Sequence, residues 1–277
     1  MLVAITTLLT LSLLSQAALA QDASPHTEHF IQANGIRVHY LDWGGEGEPL
    51  VMLTGYGTTA LTFDHFASRF TDQFRVVSFT RRGTAPSERT PSGYDLATLT
   101  SDLEAVLDAV DFRRVHLVGH SFAGTEMTEF ATLHPERVAS LVYIDAALDS
   151  AAGFALMKDS FAQLPQPQPG SPYSQVMGWQ QLYTPDFSKF RAPALAFYTT
   201  QAPTPIPQGA TEEVLRRIDE FARTKWMPLV DRMANKFRTE TKTGRAIVFE
   251  GASHYIFRDR EDDVVRVMRT FYSSLKR

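Results

Sequence analysis

The sequence contains no cysteine and no run of basic residues. The absence of cysteine excludes disulfide bonds, a thiolate nucleophile and lipid attachment at cysteine. Lys and Arg number 27 against 31 Asp and Glu, which gives a formal net charge of −4. Such a charge does not attract nucleic acid or an anionic membrane surface, so we predict neither as a partner. His116 and His120 are four residues apart but span a strand and a turn, so zinc-ligand spacing on a helix does not apply. We expect no metal site and no cofactor, and the sequence leaves the oligomeric state open.

Charged residues are also absent from the first 20 positions. An apolar stretch there runs through Leu14, and the segment ends in A-L-A at 18–20, which matches an A-x-A cleavage pattern. We predict a secretory signal peptide over residues 1–20, a chain that starts near Gln21 after cleavage, and a secreted or periplasmic location. The alternative is an uncleaved anchor, but the apolar run is shorter than the roughly 20 residues that a membrane helix needs. No later stretch is long and apolar enough to span a membrane.

The remaining chain, residues 21–277, has the length of one large domain. Its apolar runs alternate with helical periodicity, which predicts an α/β domain whose mostly parallel sheet is covered by helices on both faces. The clearest predicted helices are 95–110 and 262–275. The predicted strands are 29–33, 36–43, 49–53, 74–79, 115–118, 141–144, 194–198 and 246–249.

Two segments interrupt this alternation. Residues 147–190 contain a proline series and many aromatic side chains, and we interpret them as a cap insertion above the strand ends. Residues 201–244 form the second segment, with a helix predicted over 211–236. Some of the aromatic side chains should face an apolar substrate, although they could equally serve the core of ordinary surface helices. The residues that we expect to contact the substrate are Trp179, Tyr183 and Tyr255.

The motif G-H-S-F-A-G at 119–124 directly follows the predicted strand 115–118 and precedes a helical stretch. A serine in a tight turn between a strand and a helix is typical of a nucleophile elbow, which holds the hydroxyl at the edge of the sheet. Small neighbours are needed there because bulk would collide with the adjoining backbone. Ala123 stands where glycine is usual. We predict that Ser121 is a nucleophile; the alternative is a glycine-rich turn that carries an incidental serine.

A serine hydroxyl is a weak nucleophile and needs a base within hydrogen-bond reach. His254, in G-A-S-H-Y at 251–255, follows the last predicted strand and should reach the same sheet edge. Acyl transfer also needs donors for the developing oxyanion. We expect these to be the backbone N–H groups of Phe122 and of Tyr56, the latter in T-G-Y-G at 54–57. A plain glycine turn is the alternative for 54–57.

Together these motifs resemble those of the α/β-hydrolase fold superfamily. The elbow at 119–124 is similar to the superfamily's own, T-G-Y-G to its H-G-x-G oxyanion loop, and R-G-T-A-P-S at 82–87 to its R-G-x-G-x-S segment. H-P-E-R-V at 134–138 and the histidine loop also match. The resemblance implies the α/β-hydrolase fold, with an eight-stranded, mostly parallel sheet and a small cap. Thr54 replaces the usual histidine of the oxyanion loop.

The triad acid departs from the family's usual position. It normally follows the strand at 194–198, but T-T-Q-A-P-T-P at 199–205 has no carboxylate. Some members place the acid one strand earlier, and that position matches Asp145, which would orient the histidine. Asp145 could instead cap the strand end or a helix of the cap, and Asp149 is a weaker alternative. Glu126 is expected to be a structural hydrogen-bond partner.

The resemblance implies a serine hydrolase that cleaves a small ester, lactone or related acyl substrate through a Ser-His-Asp triad and an acyl-enzyme. A serine nucleophile argues against epoxide hydrolase and haloalkane dehalogenase chemistry, because those relatives attack with a carboxylate. Two alternatives remain open. One is a C–C bond hydrolase or a cofactor-free haloperoxidase-like enzyme, and the other is a ligand-binding protein that keeps the fold without turnover.

Overall fold

The structure is a computed structural model that describes residues 24–160, 168–202 and 210–275. The predicted signal peptide, residues 1–20, lies outside the described residues. So does part of the proline series of the predicted cap, residues 164–167.

Eight strands form one sheet in the order β1-β2-β4-β3-β5-β6-β7-β8. The pairs β1–β2 and β2–β4 are antiparallel, and every other neighbouring pair is parallel. The predicted eight-stranded, mostly parallel sheet is therefore confirmed. The strands are β1 Thr27–Ala33, β2 Ile36–Gly44, β3 Glu48–Leu53, β4 Phe74–Phe79, β5 Val115–His120, β6 Val138–Ile144, β7 Ala194–Thr199 and β8 Arg245–Phe249.

Helices connect the parallel strands, as crossover connections require. The described α-helices are α1 Asp64–Ser68, α2 Leu96–Ala109, α3 Ala123–Leu133, α4 Ser150–Ser160, α5 Pro172–Gln180, α6 Glu212–Phe221, α7 Met227–Glu240, α8 Ile256–Asp259 and α9 Glu261–Leu275. Helix α2 begins where the Asp95 side chain accepts a hydrogen bond from the N–H of Thr98 at 2.9 Å. This contact is an N-cap, which satisfies one of the free N–H groups at the helix start.

The core lies on both faces of the sheet. Successive side chains of a strand point to opposite faces, so Leu117 packs with Met127 of α3 on one face. Its neighbour Val118 packs with Met268 of α9 on the other face. Because both faces are covered, β5 is completely buried. The loops that follow the parallel strands meet at one edge of the sheet, because these strands run in the same direction.

The two segments that interrupt the alternation in the sequence contain helices α4 to α7. Helices α4 and α5 lie between β6 and β7, in the segment interpreted as the cap. The helix predicted over 211–236 is α6 and α7 joined by the π-helical turn Ala222–Trp226. No described helix is both long enough and apolar enough to cross a membrane.

Candidate active site

Ser121 occupies the sharp turn between β5 and α3. Its φ is +57°, in the left-handed region that residues other than glycine rarely adopt. Its N–H donates to the carbonyl of Ile144 at 3.3 Å, and its own carbonyl accepts from the N–H of Gly124 at 3.1 Å. The turn is therefore fixed to the end of β6 on one side and to the first turn of α3 on the other.

The small residues of the elbow have different tasks. A Cβ on Gly124 would collide with the carbonyl oxygen of Ala146, so α3 approaches the chain after β6 at backbone distance. A Cβ on Gly119 would lie 3.0 Å from the Cβ of Ala123 and would collide with Met127. Glycine is thus required at 124, where backbone blocks the Cβ, whereas a side chain at 119 would displace Met127. Ala123, at the usual glycine position, fits because glycine stands opposite it.

His254 and Asp145 lie together at the same edge of the sheet. The Asp145 Oδ2 is 2.6 Å from Nδ1 of His254. The Asp145 side chain is only 7% exposed and follows β6 directly, with a φ of +45°. Its Oδ1 accepts from the N–H of Thr199 at 3.4 Å. An acceptor at Nδ1 favours the tautomer with the proton on Nδ1, which leaves Nε2 free to accept a proton.

The loop that carries His254 is held from two sides. The Thr199 hydroxyl donates to the carbonyl of Ala252, and His120 Nε2 lies 3.0 Å from the carbonyl of His254. Burial lowers the pKa of His120 to about 3, so its ring is neutral and donates through Nε2. The ring of Tyr255 lies 4.8 Å from that of His120. Sequence reasoning gave no role to His120 or Thr199, because both contacts join parts of the chain that are distant in sequence.

The T-G-Y-G loop follows β3 and passes over the elbow. A Cβ on Gly55 would lie 3.4 Å from the Cβ of Ser121. The Thr54 hydroxyl donates to the carbonyl of Thr58 at 3.1 Å, and the Thr58 hydroxyl donates to the carbonyl of Gly55 at 2.9 Å. These two hydrogen bonds across the loop stabilise it where the usual histidine is replaced by Thr54.

The two expected oxyanion donors, Tyr56 and Phe122, lie side by side. Their rings are 5.5 Å apart in an edge-to-face arrangement. Among the described residues, neither backbone N–H donates to a backbone carbonyl. Burial raises the pKa of Tyr56 to about 12, so its phenol is neutral. That these two N–H groups bind an oxyanion stays a prediction.

Glu126, on α3, forms a buried ion pair with Arg81, which lies just after β4. The Arg81 Nε is 2.7 Å from both carboxylate oxygens of Glu126. Burial raises the pKa of Glu126, and the charge of Arg81 opposes that rise. Arg81 also donates to the carbonyl of Thr54. Glu126 is thus a hydrogen-bond partner of Arg81, which sequence reasoning did not single out.

Aromatic side chains from α5 form a wall beside the elbow. The ring of Trp179 lies 5.7 Å from that of Phe122, and its Nε1 donates to the carbonyl of Tyr94 at 2.8 Å. Tyr173 lies 5.5 Å from Tyr56. The hydrogen bond of Trp179 anchors α5, so this aromatic wall has a fixed position.

The described contacts of Tyr183 and Asp149 are with other parts of the chain, and the substrate contact of Tyr183 stays a prediction. The phenol of Tyr183 is beside Thr128 and near Glu129, in the second turn of α3, and burial raises its pKa. Asp149 caps α4, because its Oδ1 accepts from the N–H of Ala152 at 3.0 Å. Within the described ranges, no three His, Asp or Glu side chains are grouped so that they could hold a metal ion.

Comparisons with known proteins agree with this architecture. The family model of the alpha/beta hydrolase fold matches residues 48–257. The chain is 33% identical over 121 residues to a putative non-heme haloperoxidase of Mycobacterium phage D29, a match that covers 43% of each protein. It is 29% identical over 119 residues to a soluble epoxide hydrolase of Corynebacterium sp. strain C12, covering 43% of this chain and 41% of that protein. These matches span less than half of either relative.

Among solved structures, an esterase from Exiguobacterium antarcticum superimposes with a TM-score of 0.65 at 19% identity. The superposition covers 91% of this chain and 100% of the esterase. At this identity the similarity is one of fold.

Proposed function

The chain belongs to the α/β-hydrolase fold family, and from this premise we propose that it is a serine hydrolase that cleaves a small ester, lactone or related acyl substrate. The observation that carries the proposal is the 2.6 Å contact between His254 and the buried Asp145, at the sheet edge where Ser121 occupies its left-handed turn. The relative named as a soluble epoxide hydrolase supports a hydrolase.

In the proposed reaction, the Ser121 hydroxyl attacks the acyl carbon while Nε2 of His254 takes its proton. The N–H groups of Tyr56 and Phe122 bind the oxyanion, and Asp145 stabilises the imidazolium. His254 then gives the proton to the leaving alcohol, which leaves an acyl-enzyme. A water molecule attacks this ester with His254 as base, and His254 then returns the proton to the Ser121 oxygen as the carboxylic acid leaves.

The aromatic wall supports an apolar acyl or alcohol group in the substrate. Four rings lie side by side in a row beside the elbow, in the order Tyr173, Tyr56, Phe122 and Trp179. Rings in such a position bury apolar surface of a ligand, which is how most small-molecule sites gain affinity. A serine at the elbow, where a carboxylate would be needed to open an epoxide by direct attack, favours acyl transfer.

A fluorophosphonate probe and a panel of esters and lactones of graded chain length test the proposal. Wild-type protein should be labelled at Ser121 and should hydrolyse some members of the panel. Ser121→Ala should lose the labelling, and its kcat should fall by ~10⁴–10⁶. Ser253→Ala changes the serine directly before His254 in the histidine loop. This variant serves as the control and should still be labelled. Undiminished hydrolysis by Ser121→Ala refutes the proposal.

A haloperoxidase-like activity is the second candidate, and the relative so named favours it. Hydrogen peroxide in place of water would attack the acyl-enzyme and release a peracid, which oxidises halide to hypohalite while it becomes the carboxylic acid. We expect this activity only with added peroxide, halide and a carboxylic acid or ester. Halogenation that persists in Ser121→Ala would contradict this route.

We also propose that residues 1–20 direct export and are removed. Ser24 is already held by the folded domain: its N–H donates to Asp64 at 3.0 Å, and Trp43 Nε1 donates to its hydroxyl at 2.8 Å. Cleavage after Ala20 would therefore leave a short segment before this attachment. N-terminal sequencing of protein recovered from the periplasm or medium should begin near Gln21, and an exported chain that retains Met1 would contradict the proposal.

A further inference from the structure

We propose that Arg81 and Glu126 are positioning residues that hold the oxyanion loop, defined as residues 54–58, in its active conformation. The inference rests on the proposed function, since an oxyanion forms only if Ser121 attacks an acyl group. Neither side chain touches the reacting atoms in this scheme. Their effect passes through the backbone of the loop.

All three nitrogens of the Arg81 guanidinium are engaged. Nε and Nη2 donate to the carboxylate of Glu126 on α3. Nη1 donates to the carbonyl of Thr54, and it lies 3.4 Å from the carbonyl of Gly55. The Arg81 side chain is only 5% exposed, and that of Glu126 is 3% exposed. One buried guanidinium thus joins the oxyanion loop to the helix that follows the nucleophile.

The carbonyl of Gly55 and the N–H of Tyr56 belong to the same peptide group. Because this group is planar and trans, its C=O and N–H point in opposite directions. The Gly55 carbonyl is held by Arg81 on one side and by the Thr58 hydroxyl at 2.9 Å. Fixing the carbonyl therefore fixes the direction of the Tyr56 N–H, the proposed oxyanion donor. A donor that is already oriented needs no reorganisation when the oxyanion forms.

The next residue provides a matched comparison. Arg82 is 6% exposed and forms an equally buried ion pair with Asp102 of α2. Its hydrogen bonds go to Asp102 and Thr90, and the described contacts give it no bond to the oxyanion loop. Disrupting either pair leaves a buried charge poorly satisfied and should destabilise the fold. Only the Arg81 pair should also affect the reaction.

The experiment compares Arg81→Lys and Glu126→Gln with Arg82→Lys, using the best ester of the panel. Lysine keeps the charge but cannot bridge Glu126 and the loop as the planar guanidinium does. We expect kcat to fall about 10- to 100-fold in Arg81→Lys and Glu126→Gln with KM changed by less than about threefold, because oxyanion donors act mainly in the transition state. Arg82→Lys should keep the wild-type kcat even if its melting temperature falls.

A second variant avoids the buried charges. Thr58→Val removes the hydroxyl that holds the Gly55 carbonyl but keeps the side-chain shape, and Thr58→Ser restores the hydroxyl. We expect kcat to fall in Thr58→Val and to return in Thr58→Ser, with both variants folded at the assay temperature. This comparison also applies if the Arg81 and Glu126 variants do not fold.

The outcomes separate the two proposals. If wild-type protein hydrolyses the ester and Ser121→Ala does not, the proposed function stands. An unchanged kcat in folded Arg81→Lys and Glu126→Gln, or an equal fall in Arg82→Lys, then overturns the positioning role. Where the Arg81 and Glu126 variants do not fold, an unchanged kcat in Thr58→Val overturns it. If wild-type protein hydrolyses nothing and the probe does not label Ser121, the proposed function itself fails.

Discussion

Replacing Asp145 with asparagine turns one of its two carboxylate oxygens into an amide nitrogen. The contacts of the two oxygens decide which of them the nitrogen replaces. Oδ2 faces Nδ1 of His254 at 2.6 Å, and Oδ1 accepts from the N–H of Thr199 at 3.4 Å. If the amide nitrogen faces His254, Nδ1 must accept, so the ring proton moves to Nε2 and the ring no longer takes the proton of Ser121. If the amide nitrogen faces Thr199 instead, two N–H donors oppose each other.

The size of the effect follows from these two orientations. The second one leaves the buried N–H of Thr199 without an acceptor, which costs about 1–3 kcal/mol. At 1.36 kcal/mol for each factor of ten, the competent tautomer becomes about 5- to 150-fold rarer. The variant also loses the negative charge that stabilises the imidazolium, and removal of an orienting aspartate can cost ~10⁴ in kcat. We therefore expect kcat to fall by ~10²–10⁴ in Asp145→Asn.

The assay is kcat on the best ester, together with the melting temperature to establish folding. Asp149→Asn is the matched control, because Asp149 caps α4 and has no described contact with His254. Glu212→Gln and Glu213→Gln, the next acids along the chain, should be nearly silent. A folded Asp145→Asn protein that keeps more than about a tenth of the wild-type kcat would refute this reasoning.

Three further predictions concern the aromatic wall, the elbow and a helix cap. Trp179→Ala removes the ring beside Phe122, so the panel should show a preference for longer chains; an unchanged profile would mean that Trp179 does not limit the substrate. Gly124→Ala places a methyl group against the carbonyl of Ala146 and should lower the free energy of unfolding by at least ~1–3 kcal/mol; an unchanged denaturation midpoint would contradict this. The hydrogen bond from the N–H of Thr98 lowers the pKa of Asp95 below its ordinary value of 3.8. The ionised Asp95 side chain therefore stabilises the fold fully above pH 3.8, and this stabilisation is lost as the pH falls through the pKa of the folded state. Asp95→Ala should therefore cost ~0.5–2 kcal/mol at pH 7 and less at pH 3, and equal losses in denaturant titrations would count against the cap.

The strands could be predicted because each is a short apolar run between polar turns, which is a local property of the sequence. The elbow was also visible locally, since the glycines at 119 and 124 stand where a side chain would collide with its neighbours. Its left-handed φ at Ser121 follows from the same motif. Local patterns of this kind are sufficient to predict the fold and the order of the loops at the site.

Contacts between distant parts of the chain were beyond such patterns. Nothing in the sequence near Arg81 indicates that it binds a carbonyl of the oxyanion loop, 27 positions earlier. The π-helical turn Ala222–Trp226 interrupts a segment whose periodicity predicts one continuous helix. Apolar composition likewise cannot distinguish an aromatic ring beside Phe122, such as Trp179, from one whose phenol lies beside Thr128 of α3, such as Tyr183.

The separation of the site residues along the chain has a consequence for synthesis. Asp145 and His254 are 109 positions apart, and His120, beside the nucleophile, contacts the His254 loop across 134 positions. A ribosome that has produced the elbow and β6 has therefore made the proposed nucleophile without its proposed base. Strand β8 pairs with β7 and not with β6, so the His254 loop reaches Asp145 across the strand that lies between them. Under the proposed mechanism, hydrolysis needs β8 and the loop that follows it in place, so nascent chains that end before them should not hydrolyse the ester.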